Sequence, residues 1–457
     1  MIEVLQEKII VLESEVGTLK AENDKLRTKI IELEDKLGLN SKNSSLPPSQ
    51  DVYRKKTKKK SDKKSGWQPG HEAHKRELMV ADEVVKCSID TICMCGGQVI
   101  LEEETVHQKV ELPKIKPIVT EYRLQRGYCK ACKKRISASL PEGVTRDLLG
   151  ANAKAVIGSF TGFFINSKRE VQQILSSIFN LNISLGLVSK TEGRVSEKCI
   201  SEYEKIREEL RKSKYLHIDE TSHRNQGKKG WSWVVTNKTA TLMKLVGSRG
   251  KKILKELLPE YDGIVISDRY AVYNYFNHEN RQICWAHLAR DFERFFYSKN
   301  IEVSRIGAAL KSLSNRVFVV DRARKQNLID NLRFFRLMRK IRKRVKHFLR
   351  EITRVAKGTQ ASRMAANILR SEDMMWRFVR NPDLIETTNN LAERQARRYV
   401  IYRKNSFFTW SERGEKFIER MLSIFLTARL NDQNPVQKLQ NLVAIRERSK
   451  KCVKANF

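Results

Sequence analysis

The sequence has little of what marks secreted and membrane proteins. Eight cysteines in 457 residues are too few for a disulfide scaffold. The longest apolar run, residues 155–165, falls short of the roughly 20 residues that span a bilayer. The first residues also lack the charged and apolar segments of a signal peptide. These absences favour a reduced, cytoplasmic protein.

Acidic residues are scarce relative to basic ones. The chain has 53 Asp and Glu against 89 Lys and Arg, which gives a formal net charge of +36. Such a surplus predicts a polyanionic partner, with nucleic acid favoured over an anionic membrane surface. The hydrophobic content of 40% is enough for a packed core, and the length fits about two to four domains.

Residues 1–39 contain a heptad repeat. β-branched residues at a and Leu at d favour a parallel dimeric coiled coil, and one Asn at an a position fixes its register. Facing g and e residues would form four pairs of opposite charge, such as Lys8 with Glu13. The repeat predicts a homodimer or higher oligomer; an amphipathic helix packed on its own domain is the alternative. The a residues are Ile2, Ile9, Val16, Asn23, Ile30 and Leu37, and the d residues are Leu5, Leu12, Leu19, Leu26 and Leu33.

Residues 40–79 are predicted to form a basic linker. Pro47 and Pro48 stop the preceding helix. The run RKKTKKKSDKK at 54–64 has no apolar residue and cannot fold alone. Its charge density favours sequence-independent contact with DNA phosphates over a simple solvated linker. The candidate contacts are Lys55, Lys56, Lys58, Lys59 and Lys60, and residues 433–457 form a second basic segment, the C-terminal tail.

Residues 80–140 form what we call the cysteine module. Cys129 and Cys132 make a CxxC pair, and Cys93 and Cys95 a CxC pair. The alternating segments between the pairs predict strands. Two cysteine pairs on paired hairpins indicate a zinc ribbon, in which Cys87 is a substitute for Cys93 or Cys95. A β-hairpin module with free thiols is the alternative.

Residues 141–205 are predicted to be helical. Within them, residues 167–195 show an amphipathic helix, a break near Asn180–Asn182, and a second helix from Ser184. This is the layout of a helix-turn-helix, so the region is a candidate DNA-binding unit. Two helices packed for structural reasons would show the same pattern.

Residues 206–299 alternate between apolar strands and helices. Three meander strands, a helix, a strand, a helix, a strand and a helix follow one another, which is typical of the α/β ribonuclease-H-like fold. In that fold the first and fourth strands are adjacent. Here the first is predicted to end at Asp219 and the fourth at Asp268, so the two carboxylates are expected to meet.

Two neighbouring carboxylates repel each other, and a bound divalent cation removes that cost. Two Mg²⁺ ions held by carboxylates can activate an attacking oxygen and stabilise the leaving one at phosphorus. A third acid is therefore expected. After a predicted helical insertion (300–380), the last part of the core (381–432) offers Glu393, one turn into a helix capped by Thr388 or Asn389. The predicted site is Asp219, Asp268 and Glu393 with two Mg²⁺ or Mn²⁺ ions.

Several motifs resemble the insertion-sequence sixty-six class of bacterial DDE transposases. They are HIDET (217–221), SDRYAVYN (267–274), CWAHLARDF (284–292), TNNLAER (388–394) and YRKNSFF (402–408). The resemblance extends over nearly the whole chain. It implies that Asp219, Asp268 and Glu393 are a metal-binding triad, with a helical insertion before the glutamate.

Each residue beside the predicted triad could have either a structural or a functional role. Glu220 should point to the opposite sheet face from Asp219, as a supporting or surface group. Cys284 and His287 form a CxxH pair, which suits zinc; with no second pair nearby, a packed or supporting pair is favoured. Asn389 and Asn390 are candidates for orienting the third acid.

Basic residues after the third acid are candidate DNA contacts, namely Arg394, Arg403 and Lys404, with Trp410 nearby. A solvated face is the alternative. The segment 333–351 of the insertion has apolar residues at helical spacing and a dense basic face. This pattern predicts a DNA-facing surface rather than a membrane-surface helix.

The sequence therefore predicts a DNA transposase. It would bind the terminal inverted repeats of its element and target DNA, cut at the element's 3′ end and transfer the freed strand. A plain metal-dependent nuclease on the same fold and a non-catalytic, decayed DNA-binding protein are the alternatives. The expected location is the bacterial cytoplasm, associated with the nucleoid, with no membrane partner.

Overall fold

The computed structural model describes residues 2–37, 77–100, 104–142 and 144–444. Most of the predicted linker, including its five candidate lysines, lies outside these ranges, as does the end of the basic tail. No helix of the described part combines the length and apolar character needed to cross a membrane.

Most of the regular elements described before the central sheet are helices. Helix α1 spans Ile2–Leu37, and the short strands β1 (Arg126–Tyr128) and β2 (Arg135–Ser137) form a hairpin. Helix α2 (Ala151–Gly158) continues into a π-helical turn (Ser159–Phe163). Three helices follow: α3 (Lys168–Ser177), α4 (Leu185–Lys198) and α5 (Ile200–Arg211).

The predicted break between two helices is present at residues 178–184. Ser167 and Glu170 form a capping box at the start of α3, and the Ser184 side chain caps α4. Between them Asn180 has a φ of 51°, a left-handed conformation that Asn tolerates better than most residues. Helices α3 and α4 contact each other, so the paired-helix layout is present; its use in reading DNA stays a prediction.

The centre of the molecule is a five-stranded mixed sheet. Its strands are β3 (Tyr215–Asn225), β4 (Lys228–Thr236), β5 (Thr241–Val246), β6 (Ile264–Ser267) and β7 (Arg281–Ile283). They lie in the order β5-β4-β3-β6-β7. The first three are antiparallel, whereas β6 and β7 run parallel to β3. The first and fourth strands of the sheet are therefore neighbours, as predicted.

The prediction that the first strand ends at Asp219 was wrong. Strand β3 continues to Asn225 because β4 pairs with it as far as Asn225 and Lys228. The hairpin turn uses Gln226 and Gly227, both with positive φ, as a two-residue hairpin of this twist requires. Only the parallel partner β6 stops early, since it pairs with residues 215–217 alone.

Helices α6 (Lys251–Leu257) and α7 (Trp285–Phe296) precede the insertion. The predicted insertion is helical: α8 (Ile301–Lys325), α9 (Asn331–Val355) and α10 (Gln360–Arg370), with the short helices α11 (Glu372–Met375) and α12 (Arg377–Arg380). The chain then returns to the sheet through α13 (Asn390–Asn405), α14 (Glu412–Leu430) and α15 (Pro435–Ala444).

Two hydrophobic cores adjoin the sheet. One packs strands β3, β4 and β5 against α5 and α14. The other packs Ile266 and Ile283 against α7 and the insertion helices. Gly307 lets α8 cross α7 closely, because a Cβ at this position would lie 2.2 Å from the backbone nitrogen of Phe296. The insertion is thus part of the folded body and holds α7 against the sheet.

Helix α1 contacts this body near its C-terminal end. The carboxylate of Glu32 accepts hydrogen bonds from the backbone N–H of Gln360 (2.9 Å) and from Arg363 (3.3 Å). Asp35 accepts from the Ser298 hydroxyl and the Lys299 backbone N–H, both at 2.9 Å. The a and d residues of the repeat from Ile9 to Leu37 stay exposed. The docked surface is therefore the side of the helix away from the heptad stripe.

The cysteine module differs from its prediction. Strands were expected across residues 98–112, but the described part of that segment forms only an isolated bridge between Ile92 and Gln98. No described residue between 77 and 142 is buried. Without a packed face, alternating apolar residues have nothing to hold them in a sheet.

Candidate active site

The register of the sheet brings the first two acids together. His217 of β3 is the parallel partner of Ile266 of β6. Asp219 and Asp268 each lie two residues further along. Because side chains alternate with a period of two, they occupy matching positions at the edge where β6 ends. The strand order predicted from the sequence has this consequence, even though β3 itself continues.

The third acid comes from α13, a helix that packs against β3 and β4. Glu393 lies in the first turn of α13, where the positive end of the helix dipole favours a carboxylate. Its Oε1 is 3.8 Å from Nδ1 of His287, which lies in the first turn of α7. Oε1 is buried and has no hydrogen-bond partner. The starts of α7 and α13 thus lie near Asp219, because the charges of both His287 and Glu393 act on its carboxylate.

Charge repulsion concentrates on Asp219. Burial raises the pKa of Asp219 to about 8, and repulsion from the carboxylates of Glu220, Asp268 and Glu393 adds to the increase. The imidazole of His287 acts in the opposite direction. Burial opposes the charge on His287, but Cys284, Asp268 and Glu393 raise its pKa to about 9. Without a bound cation, protons on these groups balance the cluster.

Glu220 follows Asp219 in β3 and is a supporting group that arginine and tyrosine side chains hold in place. Its side chain is 1% exposed. Arg249 forms an ion pair with it, donating from Nε at 2.8 Å, and the Tyr273 hydroxyl donates to its other oxygen. The sequence allowed a surface position, but the structure contradicts that option. Arg249 and Tyr273 anchor β3 directly beside Asp219.

Asn389 links three elements around Glu393. Its side chain accepts a hydrogen bond from Nδ1 of His217 (3.2 Å) and donates to the backbone oxygen of Ile218 (2.8 Å). Burial lowers the pKa of His217 to about 4, so the imidazole is neutral and donates. The backbone N–H of Asn389 donates to Sγ of Cys284 (3.1 Å). Asn389 is the N-cap residue of α13 but makes no side-chain cap; it binds the strand instead.

Sequence reasoning missed His217, Tyr273 and Arg249 as supports of the site. His217 and Tyr273 fall within the quoted motifs, and a polar residue inside an apolar strand was the one available signal for His217. Arg249 carries no such signal, since its partner is known only from the fold.

The candidate DNA contacts near Glu393 have different surroundings. Arg394 and Lys404 are exposed, as expected of residues that meet a partner. Arg403 is half-buried and donates to the hydroxyls of Thr221 (2.8 Å) and Ser222 (2.9 Å). It therefore ties α13 to β3. Trp410 is 69% exposed.

Helix α9 separates apolar and basic residues onto two faces. Its apolar face is buried in the second core, from Phe334 to Ile352. Its opposite face is exposed and carries Arg333, Arg336, Arg339, Lys340, Lys343, Arg344 and Arg350. Since the apolar face is already occupied, an amphipathic membrane helix is contradicted, and a basic surface for a polyanion is what the helix offers.

The predicted zinc ligands stay in separate pairs. Cys93 lies beside Cys95, and Cys129 beside Cys132; hydrogen bonds within the pairs lower the pKa of Cys93 and of Cys129. Cys87 is exposed. Within the described ranges, the group of three side chains whose ligand atoms all lie within 4.8 Å of one another consists of Cys284, His287 and Glu393. Neither the four cysteines nor the three acids meet that distance.

The described part of the chain thus combines a mixed α/β body, neighbouring acids and an exposed basic face on α9. Comparison with known families identifies it further: residues 167–416 match the model of the Transposase IS66 family. This match covers more than half of the chain, and the chain belongs to that family. It is thus a DNA-processing protein of the transposase class. Residues 2–77 match a family of unknown function, DUF6444. A search of curated proteins found no match.

Proposed function

We propose that the chain is a DDE transposase on a ribonuclease-H-like core, with Asp219, Asp268 and Glu393 as its metal-binding triad. The observation that carries the proposal is the register of β3 and β6, which puts Asp219 and Asp268 at matching positions, with Glu393 in the first turn of α13 close enough for its charge to act on Asp219. The fold holds these carboxylates close to one another, and bound cations would offset the repulsion between them. The strand order β5-β4-β3-β6-β7 supports the fold assignment.

The residues present fit a pair of divalent cations. Carboxylate oxygens are the ligands that Mg²⁺ and Mn²⁺ prefer, and Oε1 of Glu393 is buried without a hydrogen-bond partner. Asp219, Asp268 and Glu393 would share the coordination of two ions between them. The acids therefore need not meet the distance expected around a single ion. When bound, such ions lower the pKa of an attacking water and stabilise the leaving oxygen.

The chain's own residues would position the reaction. Asn389 and Arg403 hold α13 against β3, and Arg249 and Tyr273 hold Glu220 beside Asp219. Water would attack phosphorus at the element's end, and the P–O3′ bond would break to leave a 3′-OH. That hydroxyl would then attack a target phosphodiester and displace a target 3′-OH. The exposed basic face of α9 and the lysines of the linker are proposed to bind DNA phosphates.

Dimerisation through α1 belongs to the same proposal. The heptad stripe is exposed in this structure, with Leu19 63% exposed, and its facing charges are complementary. Two joined copies would hold two element ends at once. The four cysteines of the cysteine module are proposed to bind zinc after their pairs approach each other.

The test uses DNA duplexes that carry the two ends of the element encoding this chain. Mg²⁺-dependent nicking at the 3′ end is expected, and Asp268→Asn should reduce its rate at least about 10³-fold, as removal of a catalytic group does. Asp262→Asn is the matched control, because Asp262 is exposed and six positions away. Equal nicking by the two variants would overturn the triad.

Strand-transfer products separate the alternatives. Joined element and target strands support a transposase, whereas nicking without joining indicates a plain nuclease. DNA binding without any nicking by the wild-type chain indicates a non-catalytic protein. Retained end binding by Asp268→Asn would show that the variant is folded.

A further inference from the structure

We propose that Cys284, His287 and Glu393 form a site for a thiophilic transition-metal ion such as Zn²⁺, and that an ion bound there withdraws Glu393 from the catalytic cations. The inhibitory part rests on the proposed function of Glu393. The binding part rests only on the three side chains.

The three ligands converge from two helix starts. Cys284 is the N-cap residue of α7 and His287 lies in its first turn, so the i, i+3 spacing puts both on one side of the helix. Glu393 approaches from α13. All three ligand atoms lie within 4.8 Å of one another. A tetrahedral zinc site places its N, O and S ligands about 3.5 Å apart, which a small rotation of these side chains can reach.

The donor set distinguishes this site from the predicted magnesium site. A thiolate, an imidazole and one carboxylate suit zinc, whereas Mg²⁺ prefers oxygen ligands alone. Nδ1 of His287 and Oε1 of Glu393 are both buried without hydrogen-bond partners. The backbone N–H of Asn389 donates to Sγ of Cys284 at 3.1 Å, the kind of outer contact that orients a metal ligand. Three protein ligands leave a fourth position open for water.

Sequence spacing alone disfavoured this site, because a CxxH pair with no second pair nearby is half of a zinc site. The fold supplies the third ligand from a segment more than a hundred residues later in the chain. That ligand is the acid proposed to hold catalytic cations. A zinc ion bound to Oε1 would turn the Glu393 carboxylate towards Cys284 and His287 and reduce its negative charge, so zinc binding and catalysis should compete.

Binding is tested with Co²⁺, a spectroscopic substitute for zinc, titrated into the full-length protein. Thiolate coordination gives a near-ultraviolet charge-transfer band. The matched variants are Cys284→Ser and Cys199→Ser. Cys199 is fully buried, and burial raises its pKa to about 12, so it stays a thiol that does not bind the metal. Comparing the two variants cancels the contribution of the other cysteines.

Cys284→Ser is expected to lose one equivalent of thiolate-bound Co²⁺ that the wild type and Cys199→Ser retain. His287→Gln should lower the Co²⁺ affinity measured from the same band by about tenfold or more. It serves as the second variant if Cys284→Ser fails to fold. Identical titrations for all four proteins would overturn the site.

Inhibition is tested by adding Zn²⁺ to nicking reactions that contain excess Mg²⁺, with each protein compared with its own rate without zinc. The wild type and Cys199→Ser should be inhibited, and Cys284→Ser should need about tenfold more zinc. Equal zinc sensitivity in both variants would overturn the competition for Glu393. Absence of nicking in every protein would overturn the proposed function and the inhibitory part with it, while the Co²⁺ titration would still decide binding.

Discussion

The acid cluster and the cysteine module were predicted from the same kind of evidence, ligand residues at suggestive spacing, yet the fold treats them differently. The strand that carries Asp219 is part of a core in which Leu216 and Ile218 are fully buried. In the cysteine module Ile92 is 67% exposed and Ile118 is 98% exposed. The acids are held by packing whether or not a metal is present. The thiols have only their hairpins, so there a metal would have to supply the folding energy.

Among substitutions that disturb the packing around the acid cluster, Asn389→Ala is expected to have the largest effect. It leaves Nδ1 of His217 and the backbone oxygen of Ile218 unpaired in a buried site, which should cost about 2–3 kcal/mol of unfolding free energy. A shifted α13 would misplace Glu393, and nicking should fall about 10²-fold. Chemical denaturation and nicking assays check both values.

Asn390→Ala is the matched control, since Asn390 is exposed and next in sequence. It should change stability by less than about 0.5 kcal/mol. If the two alanine variants behaved alike, the site would not depend on packing at this position.

A second prediction concerns the proton that the Asp219 carboxyl carries when no metal is bound, and its effect on Mg²⁺ affinity. Because burial raises the pKa of Asp219 to about 8, cation binding must displace a proton below that pH. Apparent Mg²⁺ affinity should therefore rise with pH, by up to about tenfold per unit from pH 6 towards 8, and then level off. Mg²⁺ titrations of nicking across this range measure it. An affinity independent of pH would mean that Asp219 is already ionised.

The smallest effect on stability is expected from substitutions in the cysteine module. Replacing Cys93, Cys95, Cys129 and Cys132 by Ser should change the unfolding free energy of the sheet-containing body by less than about 0.5 kcal/mol, because no buried contact joins the thiols to its core. Limited proteolysis between residues 80 and 140 should nevertheless become faster if the wild type binds zinc there. A large loss of stability in the body would show that the module is part of its core.

The order of strands around the acids could be predicted because apolar runs indicate strands locally, and the succession of strands and helices matches a fold in which the first and fourth strands are adjacent. The continuation of β3 past Asp219 could not, since residues 221–225 are polar and become a strand only by pairing with β4. The burial of Glu220 depends on Arg249 and Tyr273, which lie 29 and 53 positions away. Asn389 meets His217 across 172 positions. Contacts of this range leave no trace in local periodicity.

In the cysteine module the sequence predicted more strand structure than the fold contains. Its apolar residues alternate as strand residues do, and the sequence alone indicated a sheet there. Alternation reports which side chains would share a face, but it does not report what covers that face. Nothing in the described part covers it, so the strands are shorter than predicted. Cys284 and His287 likewise needed the fold to bring Glu393 to them.

The side of α1 that contacts the insertion has a geometric consequence. Thr28, Ile31, Glu32 and Asp35 occupy heptad positions b, c and f, and all four are half-buried. A second helix pairing along the a and d stripe would not compete with that contact. A helix of 36 residues is about 54 Å long, and the two sheet-containing bodies of a parallel pair would lie at the same end of it. If each body binds one transposon end, the coiled-coil dimer would set the distance between the two ends. That distance would not depend on how much DNA lies between them.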